Sequence, residues 1–232
     1  MVVVDDFLIE QLARDLVKDF PAVDDMPKSR DYVFGDKHEL SSIENTDAGA
    51  RFFAGATSPD FEAFLRDVCG RDVFVDRHFH GGGFHQGADG SYLDMHVDFN
   101  LHPLHPTWLR TLNVLVYLSP NWERAYGGQL LLKRHPDDKP VEVWPRFNRA
   151  VIMLTSDDTY HGYHRMSLPD GVTRKSIATY AYREIVEGDV EARTTGWVPE
   201  GAGPAKRLLA RHYNTLVRVK NRLFGSGTAR NR

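Results

Sequence analysis

Ten consecutive residues, Tyr92-Leu93-Asp94-Met95-His96-Val97-Asp98-Phe99-Asn100-Leu101, alternate polar and apolar without a break. Successive side chains of a β-strand point to opposite faces. The segment therefore reads as a strand with Tyr92, Asp94, His96, Asp98 and Asn100 on one face and five apolar residues on the other. Short runs rich in β-branched and aromatic residues surround it, near 72–80, 91–101, 110–118, 128–133, 141–144, 149–155 and 174–184. Turn signals such as Gly81-Gly82-Gly83, Ser119-Pro120-Asn121 and Pro169-Asp170-Gly171 separate them. Many short strands with no helices between them imply an antiparallel barrel or sandwich.

The flanks read differently. Leu8, Leu12, Leu16 and Phe20 recur at helical spacing, with Asp5 or Asp6 as the cap. Residues 21–57 read as irregular and polar, with a short helix near Leu40–Asp47. Ser58-Pro59 opens a second helix that runs through Val68 and ends at Gly70. Pro204 opens a last helix with Leu208, Leu209, Leu216, Val217 and Leu223 on one side. The expected organisation is one domain over 1–200, with N-terminal helices over 1–70 and a β core over about 71–185, followed by a basic helix or tail over 201–232.

Composition removes several classes of function. No apolar run approaches the roughly 20 residues needed to cross a bilayer, so no transmembrane segment is expected. The start meets Asp5 and Asp6 at once and lacks the basic region of a secretion signal. The single cysteine, Cys69, excludes an intrachain disulfide, and a reducing cytoplasm is the natural location. All 32 acidic residues lie at or before Glu200, whereas eight of the 29 basic residues follow it, so the body carries a net charge of −11. The bland explanation of the basic terminus is that it docks on its own acidic body or is solvated, and a partner is the alternative. No nucleic-acid partner is expected, and the sequence leaves a homo-oligomer open.

The polar face of the 92–101 strand carries the chemistry. Alone, it is equally well explained as a strand turned to water. His96 and Asp98 at i, i+2, however, set an imidazole and a carboxylate side by side, close enough to share one ion. A distal histidine from Thr159-Tyr160-His161-Gly162-Tyr163-His164 completes two histidines and a carboxylate, a set that suits non-haem Fe(II) and leaves three positions open. Downstream, period two puts Arg174, Ser176, Ala178, Tyr180 and Tyr182 on one face. Arg174 and Ser176 together can grip a carboxylate, while Lys175 faces away.

His-x-Asp, Tyr-His-Gly and then Arg-x-Ser on a closing strand resemble the 2-oxoglutarate/Fe(II) dioxygenase superfamily, in the branch similar to the prolyl 4-hydroxylase catalytic domain. Gly90-Ser91-Tyr92, Arg110 to Leu118 and Gly127-Gly128-Gln129-Leu130 fit that branch too. The resemblance spans about Arg71 to Arg183, roughly half the chain. It implies a double-stranded β-helix, or jelly-roll, fold. It implies Fe(II) held by His96, Asp98 and His161. It implies that 2-oxoglutarate binds through Arg174 with help from Ser176, and that O2 is the oxidant, with ascorbate as an optional reductant. Tyr92 matches a tyrosine that often lines the cosubstrate pocket, and Asn113 and Tyr117 share a strand face that lines it too. His164 also lies at a family-like distance before Arg174. The Tyr-His-Gly setting, with the Pro169–Gly171 turn absorbing the longer spacing, favours His161. The segments His80–Gly90 and Asn100–Pro106 read as a substrate lid, and a histidine of the His102–His105 loop as a substrate contact.

The expected reaction is hydroxylation of a small molecule, such as an amino acid, a sugar or a natural-product intermediate, or of a peptidyl residue. A halogenase of the same superfamily would lack the Asp98 carboxylate. A cupin-type dioxygenase or isomerase would have no use for Arg174 and Ser176 and usually takes more histidines. A non-catalytic jelly-roll binding module would tolerate loss of a ligand, and none is lost.

Overall fold

The computed structural model describes residues 1–29 and 33–224, with side chains omitted at 214 and from 218 on. The C-terminal tail and the side chains of Arg218, Lys220, Arg222 and Leu223 therefore lie outside the described residues. The strands are β1 (Val2–Val4), β2 (Gly35–Asp36), β3 (His38–Leu40), β4 (Phe74–Val75), β5 (Gly83–Gly87), β6 (Tyr92–Val97) and β7 (Leu101–His102). They continue as β8 (His105–Tyr117), β9 (Leu130–Lys133), β10 (Val141–Val143), β11 (Arg149–Leu154), β12 (Tyr160–Tyr163), β13 (Arg174–Glu184) and β14 (Gly196–Val198). The helices are α1 (Glu10–Lys18), α2 (Asp47–Ala56), α3 (Pro59–Cys69) and α4 (Pro204–Phe224).

Two antiparallel sheets result. The larger runs β1-β11-β8-β13-β5-β3, with β4 beside β13 and β7 beside β8. The smaller runs β10-β9-β12-β6-β14, with β2 beside β6. Tyr117, Val151 and Met153 from one sheet meet Leu130, Leu132 and Val143 from the other, so part of the core lies between them. The outer face of the large sheet is covered as well: Leu16, Phe20, Ile43, Phe52 and Leu65 pack on Phe84, Leu112, Val114, Val116 and Ile177. This double burial explains why Leu112, Val114 and Val116 make the outer face of β8 apolar.

The helices depart from expectation in instructive ways. Asp5 and Asp6 do not cap α1. Its N-cap is Ile9, without a side-chain bond, and Asp5 instead pairs bidentately with Arg149 beside the β1–β11 ladder. Helix α3 starts and stops as expected, with the Ser58 hydroxyl accepting from the Phe61 amide and Gly70 closing it in the left-handed region. Helix α2 occupies part of the stretch read as irregular. Its glycines weaken the propensity signal, but Thr46 caps it and Phe52 is buried. On α4, Lys206, Leu209, Ala210, Tyr213 and Val217 are half-buried, whereas Leu208 and Leu216 are exposed. The Lys206 ammonium lies 2.6 Å from Asp94. No helix among the described residues is long and apolar enough to cross a membrane.

Candidate metal and anion site

Between the sheets lies a cavity lined by side chains of both, including His96, Asp98, His161, Asn113, Arg174 and Ser176. The ligating atoms of His96, Asp98 and His161 lie within 4.8 Å of one another. His96 Nε2 and His161 Nε2 are each 3.5 Å from a different Asp98 carboxylate oxygen. Two donors bound at right angles to one ion, with bonds of about 2.1 Å, would sit roughly 3 Å apart, so a small inward shift suffices. His164, by contrast, is exposed and outside the cluster.

Strands β6 and β12 bring these residues together. His161 stands opposite His96 in the ladder, but Tyr163 stands opposite Leu93. Two residues of β6, Asp94 and Met95, thus face the single residue Gly162, which is a β-bulge. A Cβ on Gly162 would lie 2.6 Å from the Leu93 carbonyl oxygen, so this close approach requires glycine. The bulge breaks the strict alternation on which the strand reading rested. Leu93 lines the cavity with His96, whereas Tyr92 does not. Tyr92 lies under the Arg165 guanidinium, with its hydroxyl 3.4 Å from the Val33 carbonyl. Asn100 also leaves the site, binding the backbone at Glu191 and Arg193.

A second bulge, at Thr111 in β8, has the opposite effect. Tyr182 pairs with Arg110 and Ala181 with Leu112, so Thr111 is extra. Counting by two from Asn113 and Tyr117 points Arg110 outward; the bulge turns it in. Arg110 is buried, with Nη2 3.1 Å from Asp98 Oδ2 and its guanidinium between the rings of Tyr180 and Phe99. Asn113 Nδ2 donates to the same carboxylate at 3.3 Å. Burial alone would raise the Asp98 carboxyl, but Arg110 and the two imidazoles hold it well below its ordinary value. Burial also pushes His161 down to about 3, so its ring is neutral and can offer a lone pair. His96 Nδ1 lies 2.9 Å from the Asp94 carbonyl oxygen; donating to it leaves Nε2 free for an ion.

At the other end of the cavity, Arg174 is 7% exposed. Its Nε donates to the Gly128 carbonyl at 2.8 Å and its Nη2 to the Tyr117 hydroxyl at 3.3 Å, while Tyr163 and Tyr117 flank the guanidinium. No carboxylate pairs with it among the described residues. Lys175 points out of the cavity and bonds Thr173.

Other expected contacts lie elsewhere. Residues 83–87, read as part of a lid, form strand β5 against β13. This brings His85 into the cavity, with burial, Lys37 and Arg174 pushing its pKa down to about 3. Lys37, between β2 and β3, lines the cavity as well, and nothing in the sequence marked it. His102 is buried 3.5 Å from the Asp76 carboxylate, and its Nδ1 accepts from the Leu104 amide, so it does not face the cavity.

Residues 82–182 match the family model described as the 2OG-Fe(II) oxygenase superfamily. Solved structures share the fold. A prolyl-4-hydroxylase from Pseudomonas putida matches at TM-score 0.58 and 16% identity, covering 79% of this chain and 92% of that one. A prolyl hydroxylase from Trichoplax adhaerens, in complex with a hypoxia inducible factor peptide fragment, matches at 0.52 and 17%, covering 78% and 82%. HygX from Streptomyces hygroscopicus, with nickel, 2-oxoglutarate and hygromycin B bound, matches at 0.52 and 13%, covering 80% and 83%. No curated protein sequence matches the chain.

Proposed function

We propose that the chain, whose residues 82–182 match the family model of the 2OG-Fe(II) oxygenase superfamily, uses 2-oxoglutarate and O2 to hydroxylate a small molecule or a peptidyl residue, with His96, Asp98 and His161 holding Fe(II). The observation that carries this reading is the pairing of two unsatisfied sites in one cavity. One is a His-Asp-His cluster with ion-binding separations. The other is the buried Arg174, whose hydrogen-bond partners among the described residues are neutral oxygens. A buried cation without a counter-charge is costly, and a dicarboxylate that reaches from the ion to Arg174 offsets that cost.

When bound, the iron supplies the O2 chemistry, coupled to decarboxylation of 2-oxoglutarate to succinate and CO2. The chain's own residues bind and orient. Arg174 takes the distal carboxylate bidentately, with Ser176 beside it. Tyr117 and Tyr163 cover the guanidinium and exclude water from that pair. Asn113 and Arg110 fix the Asp98 carboxylate, and the Asp94 carbonyl fixes the His96 tautomer. Among the neighbours, one is in complex with a peptide fragment and another has hygromycin B bound, a molecule of each proposed kind.

The test has two parts. Anaerobic addition of 2-oxoglutarate to the Fe(II)-loaded protein is expected to produce a weak visible charge-transfer band, and admission of O2 to yield succinate. A protein that binds Fe(II) but gives neither band nor succinate refutes the reading and leaves the cupin-type alternative.

A further inference from the structure

The metal-binding face does not end at residue 182. Strand β14, far beyond it in the chain, adds itself to the edge of β6 with Trp197 opposite His96. Directly opposed residues of an antiparallel pair share a face. The indole accordingly lies on the imidazole, with centroids 4.8 Å apart and planes tilted by 33°. His161 flanks the same imidazole at 4.2 Å. On its other side Trp197 is stacked on Phe34 at 4.9 Å and 12°, and Phe34 meets Tyr213 of α4 edge-on at 5.3 Å. Rings thus run without a gap from the His-Asp-His cluster to the C-terminal helix.

We propose that Trp197 is a positioning residue that holds the His96 imidazole in its metal-ligating orientation; the proposal rests on the assignment of His96 as an iron ligand. The torsion that swivels an imidazole has broad minima. The Asp94 carbonyl tethers one edge of the ring at Nδ1, but one hydrogen bond leaves the plane free to rock about that edge. The indole face limits that rocking. The contribution comes from the ring and not from its N–H, because Trp197 Nε1 is buried and has no hydrogen-bond partner among the described residues. A phenylalanine should therefore replace it, whereas an aliphatic residue of similar bulk should not.

The experiment measures Fe(II) affinity anaerobically by equilibrium dialysis, without 2-oxoglutarate, for wild type, Trp197→Phe, Trp197→Leu and His96→Ala. Loss of a group that orients a ligand typically weakens metal binding about 10–100-fold. That loss is expected for Trp197→Leu, with Trp197→Phe close to wild type. In parallel, Co(II) should quench part of the wild-type tryptophan emission, and that part should be missing in Trp197→Phe. A folded Trp197→Leu with wild-type affinity overturns the proposal. If Trp197→Leu does not fold, Phe34→Leu replaces it: a loss of the same sign supports the proposal, and unchanged affinity overturns it. The His96→Ala control separates the two readings. If it too binds Fe(II) normally, the ligand assignment has failed, and not merely the role of Trp197.

Discussion

Arg110 and Asp98 form an ion pair 3.1 Å apart in which both partners are buried, so the carboxylate of the proposed metal site has a permanent counter-ion within the protein. Without an ion, Arg110 is the largest of the interactions that offset the buried charge of Asp98. Removing one partner of a buried pair costs about 3–5 kcal/mol. Arg110→Leu is therefore expected to lower the melting temperature of the metal-free protein strongly. Added metal should then raise it by more than in wild type, since the ion takes over the missing charge. Equal metal-induced shifts in the two proteins would show that Arg110 and the ion do not share Asp98.

The ligand set is tested by alanine substitution. His96→Ala, Asp98→Ala and His161→Ala should each abolish turnover and weaken Fe(II) binding while the fold persists by circular dichroism. His164→Ala, at an exposed position, should bind Fe(II) like wild type. An inactive His164→Ala beside an active His161→Ala moves the distal ligand by three residues.

The proposed role of Arg174 is tested by titrating the cosubstrate. With the guanidinium removed, the distal carboxylate of 2-oxoglutarate loses its partner, so Arg174→Ala should need about two to three orders of magnitude more 2-oxoglutarate for half-maximal succinate formation, with Fe(II) binding nearly intact. Lys175→Ala, pointing out of the cavity, should change little. A titration in which Lys175→Ala carries the defect refutes the β13 assignment.

His85 makes stability depend on pH. Burial, aided by Lys37 and Arg174, lowers its pKa to about 3 from 6.5. The unfolded chain takes up this proton below about pH 6.5, whereas the folded chain does not until about pH 3. The contribution to stability is therefore whole above that range and is lost as pH falls through it. At about pH 4.5 the loss is roughly 2–3 kcal/mol. Urea unfolding should show a smaller drop between pH 7 and 4.5 for His85→Leu than for wild type. Parallel drops would assign the acid sensitivity to other groups.

Much of the site is legible in the sequence because its key residues are ordinary strand residues at period two. Ser176 and Arg174 follow the alternation of β13, and Asn113 and Tyr117 that of β8. What the sequence hides is where the alternation fails. The two bulges sit on either side of Asp98; one removes Tyr92 from the cavity and the other turns Arg110 in against Asp98. A bulge leaves no mark in composition, since it is decided by the partner strand, and Gly162 makes sense as its companion only once β12 is seen beside Leu93. Strand β12 carries little strand signal, because Tyr-His-Gly-Tyr is short and lacks β-branched residues. The elements β2, β3 and β14 are two or three residues long and exist only as additions to longer strands, so local propensity could not reveal them. Lys37 and Trp197 were lost with them.

The bulge at Asp94 and Met95 also acts as a length buffer. His161 opposes His96 directly, and Tyr163 opposes Leu93 across the extra residue. Deleting one of the two bulged residues would leave both pairs intact, with Leu93 two places before His96 and still on the cavity side. A one-residue change of length, which elsewhere in a strand turns every side chain to the other face, would here leave both the cavity wall and the His-Asp-His cluster where they are.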